Sequence, residues 1–205
     1  MPETITLYTN PMSRGRIARW MLEELGEPYE TIVLDFGTTM KAPTYLAINP
    51  MGKVPAIKHG ETIVTEAAAI CAYLADAFPS ANLAPPPGDH RRAPYYRWMF
   101  FAAGPVEAAV TNKSQGFVSD KKGMLGYGTY EDTINALEQH VSRNTFICGD
   151  QFTAADVYVG SQIGWGLMFG TIDKRPAFVD YSTRLQSRPA VKRANQLDDA
   201  AQPAS

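Results

Sequence analysis

Asn49-Pro50-Met51-Gly52-Lys53-Val54-Pro55-Ala56-Ile57 runs directly into Lys58-His59-Gly60-Glu61-Thr62-Ile63-Val64-Thr65-Glu66-Ala67-Ala68-Ala69-Ile70. Val54 precedes a proline and is held extended, so the first run reads as a turn that delivers a short strand. The Val54-Pro55 bond is a candidate for cis geometry. That geometry would turn the Val54 N–H and C=O sideways to pair with an extended peptide as an added edge strand, with Lys53 beside it for a carboxylate. Gly60-Glu61 then separates Pro55–His59 from Thr62–Val64, the pattern of a tight antiparallel hairpin, and a helix from Glu66 to Phe78 follows. The first N–H groups of that helix lack intrahelical partners. The Ala67 N–H therefore suits a carboxylate and Glu66 an ammonium, the two ends of a zwitterion. Each piece also has a plainer reading: a structural turn at Lys53-Val54-Pro55, and compensation of the helix dipole by Glu66.

Upstream, Ile5-Thr6-Leu7-Tyr8 reads as a strand, Arg14 to Leu25 as a helix stopped by Gly26, and Tyr29 to Leu34 as a second strand, a β-α-β opening. Ile17, Trp20, Met21 and Leu25 recur at helical spacing and give that helix one buried face. In Asn10-Pro11-Met12-Ser13-Arg14-Gly15-Arg16 the proline ends the strand and Ser13 can cap the helix. The same hydroxyl, with the free N–H groups of the helix start, can instead solvate an anion, and Arg16 one turn in adds positive charge.

Downstream, Pro79-Ser80-Ala81-Asn82-Leu83-Ala84-Pro85-Pro86-Pro87-Gly88 can sustain neither a helix nor a central strand. Beyond it strand patterns cease, and Arg92–Val110, Tyr130–Ser142, Thr153–Phe169 and Phe178–Ser187 suit helices. Thr153-Ala154-Ala155-Asp156 is a capping pattern, flanked by Phe152 and Val157 as a hydrophobic staple, and Asp198 to Ser205 reads as frayed. The expected organisation is an α/β domain over 1–80, a linker over 81–90 and an all-α domain over 91–205.

The 205 residues carry 19 Lys+Arg against 21 Asp+Glu, a net charge of −2, and 45% are hydrophobic. That balance gives no overall attraction for nucleic acid or an anionic membrane. Neither a signal peptide nor an apolar run of about 18 residues is found, so a cytoplasmic protein is expected. Cys71 and Cys148 lie far apart in apolar company and read as buried reduced thiols, and no Cys-x-x-Cys marks a thioredoxin-type redox centre. His59, His90 and His140 show no ligand spacing, so no metal is expected. Gly52-Lys53 lacks the Ser/Thr and upstream glycine of a phosphate loop, and Gly126-Tyr127-Gly128 lacks the third glycine of a dinucleotide site.

Together, in this order, the Asn-Pro-Met-Gly-Lys-Val-Pro-Ala-Ile run, the Thr-Glu-Ala-Ala-Ala-Ile run and Phe-Thr-Ala-Ala-Asp-Val resemble the cytosolic glutathione transferases over nearly the whole chain. The resemblance implies a thioredoxin-like N-terminal domain, β-α-β-α-β-β-α, followed by an all-helical domain. It also implies glutathione as co-substrate, a small hydrophobic electrophile and a homodimer. It places the glycyl and cysteinyl parts of glutathione at Lys53, Val54 and Pro55, the γ-glutamyl part at Glu66 and Ala67, and makes Met51 and Arg16 further candidates. Counting from Leu7-Tyr8 puts Ser13 where serine-type classes such as theta carry the hydroxyl that activates the thiol. Anchoring on Arg14-Gly15-Arg16 instead makes Tyr8 the equivalent of the alpha- and pi-class tyrosine. Where the family commonly has serine after the Glu, this chain has Ala67, which offers only its backbone. Pro11 and Met12 with Phe101 and Trp165 are candidates for the electrophile pocket. The implied activity is thiolate attack on the electrophile. A specialised dehalogenase, isomerase or peroxidase, or a non-catalytic binding protein of the same fold, remains as an alternative.

Overall fold

The structure, a computed structural model, describes residues 3–202. It divides into two compact units, the chain through Ala81 joined by the segment from Arg188 onward, and Asn82–Ser187. The first unit opens with β1 (Ile5–Thr9), α1 (Gly15–Leu25) and β2 (Tyr29–Val33). It continues through a short α2 (Pro43–Leu46), β3 (Ala56–His59), β4 (Thr62–Thr65) and α3 (Ala67–Ala77). The sheet order is β2-β1-β3-β4, with β1 parallel to β2 and antiparallel to β3, and β3 antiparallel to β4. This is the expected thioredoxin-like arrangement.

Alternation along β1 decides the layers. Ile5, Leu7 and Thr9 are buried, and α1 and α3 pack together over the sheet with Ile17, Met21, Leu22, Ile70 and Leu74 in its core. Tyr8 points to the other face, where it joins Tyr45, Met40, Leu34 and Ala56. Gly15 lets α1 approach β1 closely, because a Cβ there would collide with Thr9 Oγ1. Gly26 ends α1 at φ 77, a left-handed conformation suited to glycine.

In the second unit, α4 (Arg92–Phe101) and α5 (Glu107–Ser114) are joined by a π-helical turn over Ala102–Val106. The expected single helix over this region is thus continuous but widened at Pro105, whose missing N–H a wider turn accommodates. Three helices follow, α6 (Tyr130–Val141), α7 (Ala154–Phe169) and α8 (Pro176–Gln186). The capping box at the start of α7 is formed by Thr153 and Asp156, and Asp156 is fully buried. Its Oδ1 accepts from Ile147 N and Tyr181 Oη, both at 2.8 Å, and its Oδ2 from Thr153 N at 2.9 Å and Thr153 Oγ1 at 3.2 Å. The proline-rich segment is anchored in this unit: Leu83 is buried, and its carbonyl accepts the otherwise unpaired N–H of Ala154 at 2.7 Å.

The chain ends differently from expectation. Pro189–Ala200 forms a further helix, α9, which packs on α1 in the first unit, whereas the sequence reading placed all of 91–205 in the second domain. Asp198, read as the start of a frayed tail, is fully buried and accepts from Arg19 Nε at 2.7 Å. Arg188 pairs bidentately with Glu24, and Arg193 pairs with Glu23. Residues 203–205 of that expected tail lie outside the described residues. Among the described residues no helix is long and apolar enough to cross a membrane. Both cysteines are free and buried, and burial pushes both thiols up, Cys148 to about 11.

Candidate active site

Strand register brings the three singled-out segments to one end of the sheet. Tyr8 pairs with Ala56 and Ala56 with Thr65, so the end of β1, the start of β3 and the end of β4 form one row. The loop 10–14 leaves that row toward α1, Val54-Pro55 enters it, and Glu66-Ala67 leaves it into α3.

The two loops are built alike. Asn10-Pro11-Met12 and Asn49-Pro50-Met51 are the same tripeptide, and in each the Asn Oδ1 accepts the Met N–H, at 2.9 Å and 3.1 Å, closing an Asx turn. Asn10 Nδ2 also donates to Leu34 O at 2.8 Å, tying the first loop to the end of β2. Asn49 Nδ2 and Tyr45 Oη both donate to Lys53 O, at 2.8 and 2.6 Å, and Lys41 Nζ donates to Met51 O and Gly52 O. Gly52, at φ 56, has no room for a Cβ against Met40 O and the Lys41 side chain. These supports were not anticipated from sequence. The repeated Asn-Pro pair was their visible signal, whereas nothing local pointed to Lys41 or Tyr45.

Val54-Pro55 is cis, as the sequence allowed. The β1–β3 ladder starts at Ala56, so the Val54 N–H and C=O take no part in it. The Lys53 side chain is exposed, as are Met51 and Met12, at 63% and 70%. Glu66 is exposed and sits at φ 67, ψ 119, a conformation that non-glycine residues rarely adopt and that concentrates at ligand sites. Its strain sets up the first turn of α3, where Ala67 is buried and the opening N–H groups lack i−4 partners.

Ser13 Oγ accepts from Gly15 N at 2.9 Å and donates to Asn10 O at 2.6 Å. Ser13 is therefore integrated into the start of α1, with its proton on a backbone carbonyl. That carbonyl also receives Ser13 N at 3.1 Å, so it keeps one partner if the hydroxyl turns away. Tyr8 is half-buried, its ring 5.6 Å from that of Tyr45 on the α2 side of the sheet. Arg16 is engaged twice, through Nε to Pro11 O at 2.6 Å and Nη2 to Asp199 Oδ1 at 2.6 Å. The remaining two candidates lie in the second unit. Phe101 ends α4 with its ring edge-on to Trp98, and Trp165 is half-buried on α7. Among the described residues no group of three or more His, Cys, Asp or Glu is placed to hold a metal.

Comparison with known proteins agrees with this architecture. The family described as "Glutathione S-transferase, N-terminal domain" matches residues 3–76. A glutathione S-transferase of Xanthomonas campestris pv. campestris is 28% identical over 166 residues, 78% of this chain and 81% of that protein. A glutathione transferase structure from Methylococcus capsulatus strain Bath superposes with a TM-score of 0.80 at 27% identity, covering 96% of this chain and 99% of that one. A sphingomonad glutathione S-transferase, solved with glutathione, gives a TM-score of 0.78 at 28% identity, covering 95% and 98%. Residues 3–76 thus match the glutathione S-transferase N-terminal domain, and the chain as a whole is similar in sequence and fold to proteins of that name.

Proposed function

We propose that the protein is a glutathione transferase that binds glutathione at this end of the sheet and presents its thiolate to a hydrophobic electrophile. The observation that carries this reading is the row Tyr8–Ala56–Thr65, which gathers the Ser13 loop, Val54 and the start of α3 at one place. The tripeptide's α-carboxylate lies at the Ala67 N–H and its ammonium at Glu66. The cysteinyl backbone pairs with Val54, and the glycyl carboxylate meets Lys53. The sphingomonad relative, solved with glutathione, supports the ligand.

The chemistry asked of the protein is small and specific. A free thiol has a pKa of about 8.5, so only a few per cent is thiolate at neutral pH, and each unit of lowering corresponds to about 1.4 kcal/mol of anion stabilisation. Ser13 Oγ–H turns from Asn10 O to the sulfur, exchanging a neutral hydrogen bond for a charge-assisted one, and the N-terminus of α1 adds its dipole. The thiol proton leaves to solvent, the sulfur forms a C–S bond with the electrophile, and a leaving group, where there is one, departs with its electron pair. No general base is required. Met12, exposed on the same loop as Ser13, meets the electrophile in this reading, whereas Pro11 is buried. The proposal includes the homodimer and cytoplasmic setting that the family resemblance implies.

Two measurements test this reading. Conjugation is assayed with an activated aryl halide, an enone and an epoxide, and saturable turnover in both substrates is expected with at least one. Glu66→Ala should raise the KM for glutathione about ten-fold or more, the loss of one charge-assisted contact, with kcat changed far less. Glutathione binding by calorimetry without turnover of any electrophile would favour a binding protein, and no binding at all would overturn the site.

A further inference from the structure

We infer that Asp199, at the end of α9, is a positioning residue for the thiol-activating loop, acting through Arg16. The inference rests on the glutathione-site reading above. Arg16 is the bridge: Nε donates to Pro11 O at 2.6 Å and Nη2 to Asp199 Oδ1 at 2.6 Å. Pro11 lies two residues before Ser13, in a loop also held by the Asn10 turn, its bond to Leu34 O and the Ser13 bonds to Asn10 O and Gly15 N.

Asp199 is not needed to dock α9. The helix is already held by the buried Arg19–Asp198 pair, by Arg188 on Glu24 and by Arg193 on Glu23, with Ala190, Val191 and Ala194 buried. What distinguishes Asp199 is its place opposite Arg16. The Arg16 side chain is 22% exposed and the Asp199 carboxylate 63% exposed, so the pair contributes little to global stability. Its effect is local, since a guanidinium held on two sides has one orientation, and that orientation keeps Nε on the Pro11 carbonyl. Gln202 Nε2 donates to the same Asp199 oxygen at 3.3 Å.

The two roles open to Arg16 make opposite predictions. If Arg16 acted chiefly as a cation beside the sulfur, removing the neutralising Asp199 would expose its charge, lower the bound-thiol pKa and raise activity. If Arg16 holds the loop, removing Asp199 loosens Ser13, raises the bound-thiol pKa and lowers activity. The geometry favours the second.

The test compares wild type, Asp199→Asn, Asp199→Glu and Arg193→Gln by ultraviolet titration of bound glutathione and by steady-state conjugation. Asp199→Asn should lower kcat/KM about three- to five-fold and raise the bound-thiol pKa, while Asp199→Glu recovers part of both. Arg193→Gln breaks another α1–α9 pair and should leave both readouts at wild-type values, which separates loop positioning from helix docking. A bound-thiol pKa that is lowered in wild type and unchanged or lower still in Asp199→Asn overturns this inference alone. Equal losses in Asp199→Asn and Arg193→Gln also overturn it. A wild type that shows no lowered thiol overturns the site reading and this inference together.

Discussion

Ser13→Ala is expected to cut kcat/KM for glutathione conjugation about a hundred-fold, the scale of losing one preorganised donor to a developing or stabilised anion, with the KM for glutathione nearly unchanged. The hydroxyl sits at the start of α1, two residues from the Pro11 carbonyl that Arg16 holds. Its proton rests on Asn10 O, a carbonyl that also receives Ser13 N, so redirecting it costs one modest hydrogen bond. Tyr8→Phe should change kcat/KM by less than about three-fold, because Tyr8 packs on the opposite face of the sheet beside Tyr45. Ser13→Ala also removes the acceptor for Gly15 N and should cost about 1 kcal/mol of stability. A variant with that stability loss and wild-type kinetics would reduce Ser13 to a structural cap. If Tyr8→Phe were then the inactive variant, the tyrosine alignment would replace the serine one.

Asp156→Ala is expected to destabilise the protein by about 3 to 5 kcal/mol in denaturant unfolding, because it orphans several buried donors at once. Ile147 N, Thr153 N, Thr153 Oγ1 and Tyr181 Oη all converge on this carboxylate, joining the start of α7 to the turn before it and to α8. Asp156→Asn, which keeps one acceptor oxygen, should cost less and remains measurable if the alanine variant does not fold. Burial pushes the carboxyl up from its ordinary 3.8 to about 6, against the opposing hydrogen bonds. A raised carboxyl favours the fold most when protonated, so its contribution is full below 3.8 and is lost as pH rises through about 6. The asparagine variant should lack that part of the pH dependence. A loss below about 1 kcal/mol for the alanine variant would show that the network is dispensable.

The thioredoxin-like half was legible because its signals are local. Pro55 before a β run, Gly60-Glu61 between two strands and Gly26 after an amphipathic helix each restrict the backbone within a few residues. The capping box was legible for the same reason. What escaped was carried by distant partners. The buried face of α9 consists of small residues and an aspartate, and the arginine that makes Asp198 a buried residue lies 179 positions earlier. Read alone, that segment has no apolar stripe, and from Asp198 onward it looks like a tail. Likewise Lys41 and Tyr45 support the proline loop through bonds to backbone carbonyls, which no side-chain pattern announces. Ser13 is the mixed case: sequence placed its hydroxyl at the helix start, and the structure adds that its proton is already committed to Asn10 O and must be redirected.

The most direct test is ultraviolet difference titration of glutathione bound to the wild-type protein across pH. A bound-thiol pKa at least about one unit below the free value of about 8.5 is expected, with thiolate absorbance at neutral pH that disappears in Ser13→Ala. Glutathione that binds at saturation but titrates at its free value would contradict it.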